Sequence, residues 1–317
     1  LGFDPRTEIR TFADLARFPA IADEWRSVPA SDLIPRGCPG PFAVWETGGT
    51  TGAPRRIVDG HERTAGLARI SEILNLHGFP PPGSGDWLHV GPSGPHLVGT
   101  NVARLARMRD ALCHYVDLDP RWVKLLYQAG RTDEAQRYTA HVIDQTLHVL
   151  RTQPVGVLAV TPPLLQALCE HAEACTLLEA RIKGVIWFGT SLSDESLRLL
   201  EEEFLPGARL VGWYGNTLAG VACQRPRHPD DPYRCIFTPP SPGAVYQVVD
   251  PADPTRQVGY GESGQVRLSV LNREIFLPWQ LERDRAVRVL PADPTGWDGL
   301  ARIAPLTGGG ASVEGVY

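Results

Sequence analysis

The sequence predicts an α/β protein with a β-rich part toward its C-terminal end, on two observations. Up to about residue 235, stretches of helical periodicity alternate with short apolar runs. From Ile236 onward the pattern changes to short β runs separated by Pro, Gly and Asp turns, with no internal repeat anywhere. Helical periodicity is clear over 138–150 and 196–204. Residues 155–160, 185–188 and 210–213 are apolar throughout, the pattern of strands buried on both faces in a parallel sheet. Residues 244–249, 265–270 and 286–290 read as strands of an antiparallel subdomain. Asp250-Pro251-Ala252-Asp253-Pro254-Thr255 reads as a hairpin turn, because Asp and Pro preset its backbone.

Composition narrows the class. A chain of 317 residues, 43% of them hydrophobic, buries a substantial core and is long enough for subdomains. No stretch approaches the roughly eighteen apolar residues of a membrane span, and no basic-plus-apolar leader opens the chain. The expected location is cytoplasmic, with no membrane partner. A net charge of −5 argues against nucleic acid, whose binders concentrate Lys and Arg on one face. Loops are stiffened by 29 prolines, and with a single methionine, Met108, the core is built from Leu, Val and Ile. The chain opens on Leu1, so the numbering is expected to begin inside a longer natural chain.

Thr47-Gly48-Gly49-Thr50-Thr51-Gly52, followed by Ala53-Pro54-Arg55-Arg56, is the segment that carries most chemistry. Glycines let the backbone turn with its N–H groups inward and threonine hydroxyls add donors, while the arginines supply charge. Such a segment suits a phosphate, and a nucleotide as its carrier. A polar surface loop has a similar Gly/Thr content, and the Pro-Arg-Arg tail is what separates the two readings. The spacing matches neither the Walker A loop, G-x-x-x-x-G-K-S/T, nor the dinucleotide fingerprint, G-x-G-x-x-G.

Residues 47–55 resemble instead the phosphate loop of the acyl-adenylate-forming (ANL) superfamily, S/T-G/S-G/S/T-T-T/S-G-x-P-K/R, with Arg55 where lysine is usual. Further blocks follow in the order of that superfamily. Residues 182–193, with Trp187-Phe188-Gly189-Thr190-Ser191 at their centre, resemble the strand and loop carrying its adenine-binding backbone. Trp213-Tyr214-Gly215-Asn216-Thr217 resembles its Y-G-x-T-E block, in which tyrosine stacks on adenine and threonine contacts the α-phosphate. Gly261-Glu262-Ser263-Gly264-Gln265-Val266 resembles its G-E-x-G hairpin, and 278–284 a shortened form of the block whose aspartate, here Asp284, holds the ribose. Thr161-Pro162-Pro163 resembles the T-P-S segment of the phenylacetate–CoA ligase branch.

The resemblance implies the large N-terminal domain of an adenylating enzyme, with parallel sheets, flanking helices and an antiparallel β subdomain. Residues 1–235 would form nucleotide- and acyl-binding subdomains, 236–300 a β-rich subdomain and 301–317 a hinge. It implies ATP-dependent activation of a carboxylic acid to acyl-AMP with release of pyrophosphate, Mg2+ assisting. Acyl transfer to coenzyme A, a carrier-protein thiol or a small-molecule hydroxyl or amine would follow. Thr47, Thr50, Thr51, Arg55 and Thr217 would act on the phosphates, aided by Gly48, Gly49 and Gly52. Gly189, Thr190, Ser191, Trp213, Tyr214, Gly215, Asn216 and Asp284 would hold the rest of the nucleotide. His96 and Gly99, with Trp187 and Phe188, would line the acid, the aromatic rings walling a flat slot. No acidic residue for a substrate ammonium is identifiable, so an aryl acid of hydroxy- or aminobenzoate type is expected.

Departures matter too. Leu218 replaces the glutamate that coordinates Mg2+, and Asp284 comes two residues early. The C-terminal domain with its catalytic lysine is not in this chain. Three readings stay open: a shortened chain, a tail left out, or a large domain that works alone. A non-catalytic ATP- or AMP-binding module of the same fold is the alternative function. Of six cysteines, Cys38, Cys113, Cys169 and Cys175 read as small hydrophobes. Cys223, His228 and Cys235 lie in a loop where some members of the resembled branch carry a structural zinc, so Zn2+ or three unliganded loop residues are the alternatives.

Overall fold

The structure, a computed structural model, describes residues 2–19, 28–46, 56–60, 62–239, 243–292 and 296–306. These divide into two units, one of residues 45–46 and 67–215 and the other of the remainder. Ahead of the main sheets lie α1 (Pro5–Glu8), β1 (Ala43–Glu46), β2 (Arg56–Asp59) and α2 (Glu62–Leu76).

The first unit alternates strand and helix as its apolar runs predict. It comprises β3 (Asp86–Gly91), α3 (Leu97–Met108), β4 (Cys113–Asp117), α4 (Pro120–Gln128), α5 (Thr132–Thr152) and β5 (Val155–Val160). α6 (Pro162–Glu170), α7 (Ala172–Arg181), β6 (Gly184–Phe188), α8 (Asp194–Leu199) and β7 (Arg209–Asn216) complete it. Every residue of β5 and β6 is buried, which is why those runs are apolar without alternation. Helix starts follow local chemistry: Asp119 caps α4 ahead of Pro120, Thr161 precedes Pro162 in α6, and Ser193 caps α8. The helix predicted over 196–204 is α8 and then a π-helical turn, Leu200–Phe204, closed by Leu205 N donating to Leu200 O at 2.8 Å.

The strands are parallel in the order β4-β3-β5-β6-β7. The chain therefore moves outward from β3 to β4 and then crosses back over β3 to reach β5. Right-handed crossovers in opposite directions place α3 on one face and the later helices on the other.

The second unit carries the antiparallel strands β8 (Gly220–Gln224), β9 (Phe237–Thr238), β10 (Ala244–Asp250), β11 (Asp253–Gln257), β12 (Ser263–Leu271), β13 (Phe276–Val289) and β14 (Gly299–Pro305). Their order is β11-β10-β12-β13-β14-β9-β8. The expected hairpin turn joins β10 to β11, with Asp250 opposite Asp253 and Asp250 Oδ1 accepting from Ala252 N at 2.8 Å. In the Gly261 block, Glu262 Oε2 accepts from Gly259 N at 2.7 Å, and a Cβ on Gly264 would collide with the Val249 carbonyl. The G-E-x-G pattern there is turn capping and close strand packing. Leu15, Phe18 and Trp279 form a small apolar cluster, with Trp279 Nε1 donating to Phe18 O at 2.8 Å. Among the described residues no helix is long and apolar enough to cross a membrane.

Candidate functional site

In an open parallel sheet ligands collect beyond the carboxyl ends of the strands, where neighbouring crossovers leave in opposite directions. Here that point lies between β3 and β5, with Gly91-Pro92-Ser93 on one side and Thr161-Pro162 on the other. The turn after β3 is pinned from several sides. Asp117, ending β4, accepts from Ser93 N at 2.9 Å and from Ser93 Oγ at 2.6 Å. Glu46 N donates to Pro95 O at 2.9 Å, and Glu46 Oε2 accepts from Arg121 Nη1 at 3.1 Å. His96, at the N-cap of α3, is buried close to the charges of Glu46, Asp117, Asp119 and Arg121. Burial, and after it the Arg121 cation, hold its imidazole below the usual range. Gly99 lets the first turn of α3 approach: a Cβ there would come within 3.2 Å of Pro92 O and 3.3 Å of His89 Nε2.

His89, in the middle of β3, is fully buried. Its Nε2 lies 2.9 Å from Pro92 O, and a carbonyl only accepts, so Nε2 carries the proton and Nδ1 the lone pair. That Nδ1 is buried with no hydrogen-bond partner among the described residues. Burial drives the imidazole down to about 4, opposed by the Pro92 carbonyl, the Asp117 carboxylate and the Gly91 backbone. The ring stacks on Phe188, centroids 5.5 Å apart and planes 12° apart, with Tyr115 edge-on at 5.9 Å.

Phe188 and Trp213 are paired across β6 and β7 and share the face of His89. Trp213 Nε1 is likewise buried without a partner among the described residues. Trp187, one residue earlier, faces the other way and lies so close over Gly212 that a Cβ there would collide with its ring. Of the two rings expected to wall a slot, Phe188 therefore shares a face with Trp213, and Trp187 belongs to the opposite face.

Gly189 follows β6 with φ 92°, in the left-handed region that favours glycine, with Thr190 half-buried and Ser191 exposed. Tyr214 is half-buried and Gly215 exposed on β7. Asn216 Oδ1 accepts from Leu218 N at 2.8 Å and Ala219 N at 3.2 Å, forming a side-chain-closed turn that contains Thr217. Leu218 is buried, and Asp284 stands half-buried on β13 opposite Pro305. Thr47, Gly48, Gly49, Thr50, Thr51, Gly52 and Arg55 lie outside the described residues. The α/β unit thus gathers His96 and Gly99 at the turn after β3, with Phe188 and Trp213 on the face reached through His89. Sequence reasoning missed His89, Asp117 and Arg121. A lone histidine inside the apolar run Trp87-Leu88-His89-Val90 was the available signal.

The zinc expectation is corrected. Among the described residues no three His, Cys, Asp or Glu side chains lie together so as to hold a metal ion. Cys223 is buried on β8, while His228 is exposed and its Nδ1 accepts from Asp230 N at 3.3 Å. The loop is closed instead by an ion pair between Arg225 Nη2 and Asp231 Oδ1, whose side chains are 12% and 8% exposed. Asp231 Oδ2 also accepts from His228 N at 2.8 Å, and Arg225 N donates to Ile236 O at 2.9 Å.

No family model matches the sequence, and no curated protein matches it. Solved structures do. 2-Hydroxyisobutyryl-CoA ligase in an open conformation with 2-HIB-AMP and CoA superposes with a TM-score of 0.63 at 16% identity, over 94% of this chain and 66% of that one. The same ligase in its thioesterification state gives 0.64 at 15% identity, over 96% and 62%. ATP-bound MatB from Rhodopseudomonas palustris gives 0.53 at 17% identity, over 81% and 47%. The chain thus spans less than two thirds of the length of these proteins. At such identities the likeness establishes the fold alone, which this chain shares with these proteins.

Proposed function

We propose that this protein activates a carboxylic acid with ATP, forming acyl-AMP and pyrophosphate, and passes the acyl group to a nucleophile. The observation that carries the reading is the ordered set of phosphate, adenine and ribose blocks on a chain with the adenylating fold. A fold alone hosts many functions, and here the blocks supply the chemistry. One carboxylate oxygen attacks the α-phosphorus, the bond from that phosphorus to the pyrophosphate oxygen breaks, and pyrophosphate leaves. Two anions must meet for this, so charge has to be neutralised and the reacting atoms held in line. Residues 47–55 would provide N–H donors, hydroxyls and the Arg55 guanidinium, and Thr217 would hold the α-phosphate. Tyr214 would stack on adenine beside Gly189, Thr190 and Ser191, and Asp284 would take the ribose hydroxyls.

The turn holding the metal-binding position of the resembled superfamily does not fit a protein-bound Mg2+. Leu218 has no oxygen on its side chain, and Asn216 Oδ1 already accepts two amides. With that position lacking an oxygen, magnesium would rely on another group, on the ATP itself or on water. The acid is proposed to be an aryl acid of hydroxy- or aminobenzoate type, a reading supported by the two rings of Phe188 and Trp213 on one face. Coenzyme A is the first acceptor to test, since CoA accompanies the acyl-AMP in the 2-hydroxyisobutyryl-CoA ligase structures. Carrier-protein thiols and small-molecule amines or alcohols come next. Leu218 favours a second reading, a nucleotide-binding module without catalysis. Acid-dependent exchange of pyrophosphate into ATP separates the two, because a module that only binds gives none.

A further inference from the structure

We infer that His89 selects the acid, its Nδ1 lone pair accepting a hydrogen bond from a hydroxyl or amino group on the carboxylic acid substrate. The inference rests on the acid-activating reading above and goes on to name the group on the substrate that is recognised. Three observations carry it. The Nε2–Pro92 contact leaves Nδ1 as an acceptor only, and Nδ1 has no partner among the described residues. A buried polar atom without a partner is costly, and folded proteins keep few of them. His89 stands two residues before the end of β3, on the α3 face and next to the place where the strand order reverses. Its ring stacks on Phe188, whose neighbour Trp213 presents on the same face an N–H with no partner among the described residues. Among the described residues, one acceptor and one donor without partners thus flank a single phenyl ring. A flat acid bearing a hydroxyl group satisfies the acceptor through its proton and offers the donor an oxygen. An amino group satisfies the acceptor alone. The low proton affinity of the buried imidazole keeps Nδ1 an acceptor throughout the neutral range.

Acid-dependent pyrophosphate exchange with the full-length protein tests this, using 2-hydroxybenzoate, 2-aminobenzoate and benzoate with KM and kcat read separately. Two variants divide the ring's functions: His89→Gln keeps a donor near the ε position for Pro92 O and loses the acceptor at δ, whereas His89→Asn keeps an acceptor at δ. The wild type is expected to favour 2-hydroxybenzoate over benzoate by about tenfold in kcat/KM, the size of one well-made neutral hydrogen bond. Gln should bring that ratio to about one, chiefly through KM, and Asn should keep it above one. The 15N resonance of His89 Nδ1 should also move on addition of 2-hydroxybenzoate without ATP. An unchanged ratio in the Gln variant overturns the inference, as does an Nδ1 resonance already typical of an accepting nitrogen that the acid leaves in place, the signature of a bound water. Exchange with benzoate but no preference for its hydroxylated form defeats the His89 assignment alone, whereas absence of exchange with every acid defeats the acid-activating reading beneath it.

Discussion

His89 makes folding stability depend on pH in a window that can be worked out beforehand. Burial in β3 lowers its imidazole from 6.5 to about 4, so as pH falls the unfolded chain takes the proton first. The stability tied to the neutral ring is complete above pH 6.5, declines between 6.5 and about 4, and is fully lost below that. At about 1.4 kcal/mol for each pH unit of displacement, the loss is about 3 kcal/mol. The perturbation is His89→Gln, which removes the titration and keeps a donor for Pro92 O. Urea unfolding of both proteins at intervals from pH 7 to pH 4 measures it. Carboxylates that titrate in the same range contribute equally to both and cancel in the difference. The gap between wild type and variant should therefore shift in favour of the variant by about 3 kcal/mol as pH falls across the window. Parallel curves for the two proteins would mean that His89 takes up its proton without penalty, and the buried neutral imidazole would be wrong.

Three more outcomes are expected. Tyr214→Ala should weaken ATP binding by about 1–3 kcal/mol, the range for a lost base–aromatic stack, with the fold intact. Calorimetry reads it, and unchanged affinity removes Tyr214 from the nucleotide site. Asp231→Asn should cost about 3 kcal/mol of stability, because it leaves the Arg225 charge buried without its partner. A chelator should leave the melting temperature of the wild type unchanged and metal analysis should find no stoichiometric zinc; a chelator-sensitive melt would restore the metal reading of that loop.

Local chemistry made much of the fold legible. Fully apolar runs became β5 and β6 because both of their faces are covered, and Asp250 through Thr255 became a turn because Asp side chains satisfy their own backbone. The site was less legible, since what shares a face depends on register across strands. Trp187 and Phe188 look equivalent in sequence and point oppositely in the sheet. Asp117 and Arg121 act on residues 24 and 75 positions away, separations that no local pattern reports. Cys223, His228 and Cys235 had suggestive spacing, but among the described residues they form no metal-holding group, and the Arg225–Asp231 pair closes the loop.

The central claim, acid activation at a phosphate cradle, is tested most directly by acid-dependent exchange of pyrophosphate into ATP, comparing the full-length protein with its Thr50→Val, Thr51→Val double variant. Valine keeps size and β-branching and deletes two hydroxyl donors. Exchange should require both an acid and ATP in the wild type, and each lost donor to phosphate charge should lower turnover on the order of 10²-fold while the acid KM changes little. Exchange at the wild-type rate in the double variant, or none with any carboxylic acid in the wild type, would contradict the account.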